Sequence, residues 1–349
     1  MTRLKTRIVD LIGALGPLPV NEYMALCLFD PSDGYYTTRE PFGAEGDFVT
    51  APELGTLFGR TLARQLEELG YPILEFGAGS GALADTLLSQ HAFDYRIVEV
   101  SPQLQARQQA RLGARAQWLE RLPERIRGVV IANEVVDAMP VHAVAWRPDG
   151  IMERGVALAN NHLAWEERPA TGELLGQARK IKVDDPYESE IGLVAQAWMR
   201  EIAARLDEGV IFIFDYGFPR REYYHPQRAT GTLMCHHRHR AHADVFAHPG
   251  EEDITAHVDF TALAGAAVDA GLEVLGYATQ AQFLVNCGIT DVLGEANIEN
   301  ALHYAPLAAE AQKLLSPAEM GELFKVLAVG RGVKPPLLGF SRGNRSHSL

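Results

Sequence analysis

One stretch constrains this chain more than any other. Pro72-Ile-Leu-Glu-Phe76, an apolar run of strand length, leads straight into Gly77-Ala-Gly-Ser-Gly81 and then into a helical stretch near 81–90. Glycines let a turn take positive φ and let the backbone approach a ligand closely. The start of the helix adds N–H groups with no partner inside the helix. Three more short apolar runs follow, at Tyr95–Val100, Val129–Asn133 and Val210–Asp215, separated by helical stretches near 101–112 and 188–207. Continuous apolar runs are the mark of strands buried on both faces. Their alternation with helices predicts an α/β fold, a Rossmann-like parallel sheet with right-handed crossovers.

At 349 residues the chain is long for such a sheet alone, so flanking regions and insertions are expected. Residues from about 3 to 30 read as two short helices broken at Gly16-Pro17-Leu18-Pro19, and a Gly- and Pro-punctuated loop to Pro52 completes an N-terminal region over 1–70. The core spans 71–281. A β-rich insertion occupies about 141–185, where Pro148-Asp149-Gly150 marks a hairpin. A second, rich in His and Arg, occupies about 218–256. The region 282–330 is read as helical and 331–349 as a loose tail.

The glycine loop by itself suits more than one cofactor. Gly77, Gly79 and Ala82 also satisfy the G-x-G-x-x-G/A dinucleotide pattern, so a nicotinamide enzyme stands beside a methyltransferase at this point. Glu99, at the end of the second apolar run, can accept both hydroxyl donors of a ribose and points to an adenosine cofactor without choosing between them. A third motif, Ile131-Ala-Asn-Glu-Val-Val-Asp-Ala-Met-Pro-Val-His142, lies at the carboxyl end of a strand, where open α/β sheets bind ligands. It gathers Asn133, Glu134, Asp137 and His142 around one loop. Carboxylates there can orient an amine or a guanidine, and the planar fork of arginine matches them bidentately. Tyr35, Tyr36, Tyr223 and Tyr224 are read as packing residues. Cys235-His-His-Arg-His-Arg-Ala-His242 matches no zinc template and interleaves its histidines with arginines, so no metal site is expected, and the run is read as a basic loop facing a substrate or partner.

In order along the chain, Asn21-Glu-Tyr-Met24, Asp33-Gly-Tyr-Tyr36, Gly43-Ala-Glu-Gly-Asp-Phe-Val-Thr-Ala-Pro-Glu53, Glu75–Gly81, Asn133–Pro140, Asp215-Tyr-Gly217 and Asp253-Ile-Thr-Ala-His-Val-Asp-Phe260 together resemble the MidA family of class I S-adenosylmethionine (SAM) dependent methyltransferases. The resemblance runs from about residue 8 to about 330. It implies a seven-stranded methyltransferase sheet with added helical and β-rich regions, and SAM as cofactor. Glu75 would meet the methionine end of SAM, Gly77, Gly79 and Gly81 would line it, and Glu99 would hold its ribose. The loop Gly46–Glu53, with Asp47 and Thr50 as further cofactor contacts, would close over the site. Asn133, Glu134 and Asp137 would face the acceptor as catalytic residues. Mitochondrial members of the family resemble protein arginine methyltransferases that modify a subunit of respiratory complex I, so a protein substrate of that kind is the implied partner. A small-molecule methyltransferase and a SAM-binding assembly factor with little catalysis are the alternative functions.

The bulk properties narrow the partners further. A net charge of −13 disfavours nucleic-acid binding, which depends on neutralising phosphates. No apolar run reaches the roughly 20 residues needed to span a bilayer, so no membrane insertion is expected. The three cysteines, Cys27, Cys235 and Cys287, are far apart and form no C-x-x-C pair, which points to a reducing compartment. Leu4, Ile8, Leu11, Ile12 and Leu15 follow a helical period, so the basic N-terminus is read as a mature helix and the protein as cytoplasmic.

Overall fold

Because both faces of its strands are covered, the central sheet is apolar through its middle, with Val129–Ala132 and Val210–Phe214 all buried. The computed structural model describes residues 2–39, 50–237 and 240–349. The sheet is built from β1 (Ile73–Phe76), β2 (Tyr95–Val98), β3 (Gln117–Trp118), β4 (Ile126–Asn133), β5 (Leu206–Phe218), β6 (Glu273–Thr279) and β7 (Phe324–Arg331). Their spatial order is β3-β2-β1-β4-β5-β7-β6. The first five run parallel, and β7 lies antiparallel between β5 and β6. The order 3-2-1-4-5 reverses direction at β1, and the crevice at that switch point is where doubly wound sheets take their ligands.

Helices α1 (Arg3–Leu15), α2 (Val20–Phe29), α3 (Leu57–Leu69), α4 (Ala82–Gln90), α5 (Pro102–Leu112), α6 (Leu193–Arg205) and α7 (Phe260–Asp269) accompany the strands. Along β5, Val210, Phe212 and Phe214 join one core with Phe58 and Leu62 of α3 and Leu83 and Leu87 of α4. Ile211 and Ile213 join the opposite core with Met199 and Ile202 of α6 and Leu263 of α7. This alternation across one strand is the pleat at work, and it explains why no polar period is visible in the run. Caps fix several helix starts. Ser101 accepts from the Leu104 N–H at 3.3 Å with Pro102 in the first turn of α5, and Asp259 accepts from the Ala262 N–H at 3.0 Å at the start of α7.

The first insertion forms an antiparallel sheet from His142–Arg147, Gly150–Ala159, His162–Pro169 and Tyr187–Ile191, joined at its edge by Leu18–Pro19. The hairpin closes at Arg147 opposite Gly150, as the Pro-Asp-Gly signal predicts. The second insertion contributes a three-stranded sheet from Met234–His237, Arg240–His242 and Asp253–Thr255. Two expectations are corrected. The region 282–330 is not helical throughout, since from Phe324 onward it forms β7 in the interior of the main sheet. The tail 331–349 is not loose. Leu337 and Phe340 are buried, and the Phe340 ring lies 5.3 Å from that of Phe283. Gly276 makes room for it, because a methyl group there would collide with the Phe340 ring. Among the described residues no helix is long and apolar enough to cross a membrane.

Candidate active site

The loop after β1 takes the conformation that only glycine adopts without strain. Gly77, Gly79 and Gly81 have φ of 62°, 54° and 80°. A side chain on Gly77 would also press to 2.9 Å on the Val135 methyl of the turn after β4, so the two turns pack against each other through this glycine. Beneath the loop, Glu75 is 2% exposed and accepts from the Tyr95 hydroxyl at 2.9 Å. Burial pushes its carboxyl up to about 8, against the pull of the Tyr95 hydrogen bond. Glu75 shares a recess with Thr50, Glu53, Asn133 and Glu134. Ser80 donates to Glu53, and Arg111 donates to the Ser80 hydroxyl at 2.8 Å, which ties the segment after residue 50 to the glycine loop.

Glu99 follows β2, half-buried and raised in pKa by burial. It accepts from the Ser101 N–H at 2.9 Å and from the Gln108 amide at 2.8 Å. The same Gln108 nitrogen donates to the Gly79 carbonyl at 2.9 Å, and its oxygen accepts from Trp118 at 2.9 Å. Gln108 therefore fixes the distance between the glycine loop and Glu99. Both border a cleft of about 290 Å³ whose other walls include Phe76, Val98, Leu104, Met139 and Trp198. Such a slot, apolar with a carboxylate at its edge, fits a purine nucleoside: the base gains from the walls and the ribose hydroxyls can donate to Glu99.

The turn after β4 begins at Glu134, a non-glycine residue with φ of 52°. Left-handed backbone at such a residue persists only where its surroundings impose it. Here the Glu134 N–H is pinned to the Phe214 carbonyl at 2.8 Å, and the N–H groups of Val136 and Asp137 donate to one oxygen of Asp215 at 3.0 and 3.2 Å. Asp215, completely buried at the end of β5, also accepts from its neighbour Tyr216 at 2.9 Å. The Glu134 carboxylate accepts from the Asn133 amide and the Ala51 N–H, each at 3.3 Å.

On the far side of Glu134 opens a second cleft of about 360 Å³, with Asp137, Tyr216, His236, Asp253 and His257 among its lining residues. Three carboxyl groups face it, and among the described residues no Lys or Arg lines it. Burial, and then the charge of Asp137, pushes Glu134 up to about 8. Burial also raises Asp137 and Asp215, and Asp215 is raised further by the other two carboxyls. Enclosed acids without a cation are costly to ionise, so this cleft is chemically suited to a cationic guest. Tyr36 stands between the two clefts and donates to Asp253 at 2.8 Å. It is thus part of the site and not packing alone, whereas Tyr223 and Tyr224, from the second insertion, pack against Val144, Trp146 and Tyr187 of the first.

Most of the residues singled out in the sequence therefore converge. Glu75, Gly77, Gly79, Thr50, Asn133 and Glu134 share the recess, Glu99 edges the adenosine-sized cleft, and Asp137 faces the second cleft. Gly81 caps α4 behind the loop. Asp47 lies outside the described residues. His142 is elsewhere, bonded to Glu153 at 3.0 Å on the sheet of the first insertion. Gln108, Asp215 and Asp253 were not among the candidate residues. Gln108 gives no signal in the glutamine-rich run 103–109, while Asp215 and Asp253 stand in motif blocks at strand ends.

Comparison with known proteins agrees with this geometry. The family described as "Putative S-adenosyl-L-methionine-dependent methyltransferase" matches residues 57–278. A relative from Drosophila melanogaster, named protein arginine methyltransferase NDUFAF7 homolog, mitochondrial, is 31% identical, with 95% of this chain and 86% of that protein covered. The Xenopus tropicalis protein arginine methyltransferase NDUFAF7, mitochondrial, is 28% identical over 97% of this chain and 89% of its own length. A crystal structure of a Burkholderia thailandensis protein bound to S-adenosyl-homocysteine superimposes with a TM-score of 0.95 at 46% identity, covering 99% of this chain and 96% of that one. The cytoplasmic placement is overturned by the same comparison, because the relatives are named as mitochondrial proteins. A helical period in the first residues says that they fold, not where the protein resides. The matched segment contains the glycine loop, Glu99, the Glu134 turn and Asp253, and the chain belongs to this family of S-adenosyl-L-methionine-dependent methyltransferases.

Proposed function

We propose that the protein methylates the guanidinium of an arginine on a protein substrate. The observation that carries this reading is the second cleft: Glu134, Asp137 and Asp253 surround one hollow that joins the cofactor side at Glu134 and, among the described residues, has no Lys or Arg in its lining. The names of the relatives from Drosophila and Xenopus support it. When bound, SAM supplies an electrophilic methyl group. Glu75 would hold the methionine end, Gly77, Gly79 and Gly81 would admit it, and Glu99 would hold the ribose, with Thr50 at the edge of the recess.

The remaining work falls to the acceptor side. Glu134, with Asn133 fixing its orientation, would accept N–H groups of the guanidinium and aim one nitrogen at the methyl carbon. Asp137 and Asp253 would balance the charge left on the other nitrogens. Positioning of this kind is the main demand of a transfer in which a nitrogen displaces a sulfonium in line. The nitrogen that gains the methyl gives up a proton, and a Glu134 carboxylate raised to about 8 is basic enough to hold it. The aromatic walls at Phe29, Tyr36, Phe76 and Trp198 would keep water from the reacting centre.

A subunit of respiratory complex I is the finer proposal for the acceptor, supported by the MidA resemblance. The test is to treat lysate of cells lacking the protein with the purified enzyme and methyl-labelled SAM, then to map the label by mass spectrometry. Label on arginine in a complex I subunit is expected. Label confined to metabolites would replace this reading with a small-molecule methyltransferase.

A further inference from the structure

The hairpin Met234–His237 and Arg240–His242 has two faces with different chemistry. Met234, His236 and Ala241 turn toward the acceptor cleft. Cys235 and His242 are directly paired across the hairpin and turn the other way, as alternation along a strand requires. Cys235 is completely buried there, against the core that α1 and α2 form with the insertions. Glu252, immediately before the strand Asp253–Thr255, reaches the same point, also completely buried. The Cys235 sulfur, a His242 nitrogen and a Glu252 oxygen lie within 4.8 Å of one another.

Glu252 is the residue that ordinary packing leaves unexplained. Its Oε1 accepts from the His248 N–H at 3.3 Å. Its Oε2 is enclosed, receives no well-formed hydrogen bond, and faces His242 Nε2 at 2.9 Å and the Cys235 thiol. A carboxylate does not stay buried without a cation or good donors. A divalent ion would supply that cation, with the Cys235 sulfur and the His242 nitrogen already within reach.

We propose that Cys235, His242 and Glu252 form a structural site for a divalent transition cation, zinc(II) by its ligand set. One thiolate, one imidazole and one carboxylate suit zinc, and tetrahedral bonds of about 2.0 to 2.3 Å place ligand atoms about 3.3 to 3.8 Å apart. Small side-chain rotations reach those spacings from the arrangement seen. The fourth position belongs to solvent on the side of His242, whose side chain is 31% exposed. On binding, the Cys235 S–H bond breaks, an S–metal bond forms and the proton leaves to water. Linear spacing misses the site because the third ligand lies ten residues beyond the His/Arg run, and Arg240, whose charge argued against a cation, is exposed to solvent. The ion would pin the hairpin whose other face walls the acceptor cleft.

The test uses the untagged full chain, stripped with a chelator and titrated with cobalt(II) and then zinc(II). One equivalent of cobalt should bind with a thiolate-to-cobalt charge-transfer band that zinc abolishes. Cys235→Ser should lose the band, and Cys287→Ser, in a separate core, should keep it. Stripped wild type should melt at a lower temperature and recover with zinc. Wild type that takes up no cobalt, or cobalt bound with no thiolate band, overturns the site whatever the folding of the variants. A band that survives Cys235→Ser overturns it equally.

Discussion

Glu134 stands where three hollows meet, with its carboxylate reachable from the glycine-loop recess, the adenosine-sized cleft and the acceptor cleft. To accept from a guanidinium it must be ionised, and burial beside Asp137 has pushed it up to about 8. A raised acid is protonated below its pKa, so methyl transfer at saturating SAM should climb about tenfold per pH unit toward pH 8 and then level off. Glu134→Gln should remove that slope, and a wild-type profile flat from about pH 6 to 9 would contradict the assignment. Glu99 makes a second prediction. Hydrogen bonds to a charged acceptor contribute about 1.5–3 kcal/mol, so Glu99→Ala should raise the Kd for SAM about tenfold to a hundredfold by calorimetry. An unchanged Kd would return Glu99 to the role of a strand-end acid held by Gln108. At this scale the sequence singled out most of the residues that the fold gathers around the two clefts, because glycines after a strand and acids at strand ends have few other uses. It could not show Gln108 or Asp215, whose significance lies only in which backbone groups they reach.

Elements position these residues through pairs of strand ends. Asp215 at the end of β5 holds the turn after β4 by accepting from Val136 and Asp137. Asp215→Asn keeps the volume but turns an NH2 toward those donors. Methyl transfer should fall about a hundredfold, as a misplaced reacting group costs, with SAM affinity and the far-ultraviolet spectrum unchanged. Full activity in that variant would show that the turn holds itself. Parallel strands β1, β2, β4 and β5 were legible as short apolar runs between helical stretches. β7 was not, because Phe324–Arg331 is an apolar run that periodicity cannot tell from a buried helix, and only its pairing with β5 and β6 makes it a strand. The docked tail escaped notice for a similar reason, since its few apolar residues gain their partners only in three dimensions. Phe340→Ala should cost about 3–5 kcal/mol and lower Tm. A variant that melts like wild type would restore the loose tail.

Across the whole molecule, the acceptor cleft draws on parts of the chain that have little contact in sequence: Tyr36 from the N-terminal region, Glu134 and Tyr216 from the sheet, Asp253 and His257 from the second insertion, and Phe324 from the start of β7. The cofactor side is more local, with glycine loop, Glu99 and Gln108 all between residues 75 and 108. Cofactor binding and methyl transfer should therefore separate under mutation. The decisive measurement is the paired determination of SAM affinity and single-turnover methyl transfer to a confirmed arginine substrate in wild type and Glu134→Gln. The predicted result is an unchanged Kd for SAM with a chemical step slower by about a hundredfold to a thousandfold, the usual cost of one lost electrostatic contact at a reacting centre. Full turnover in Glu134→Gln, or loss of SAM binding, would contradict the account.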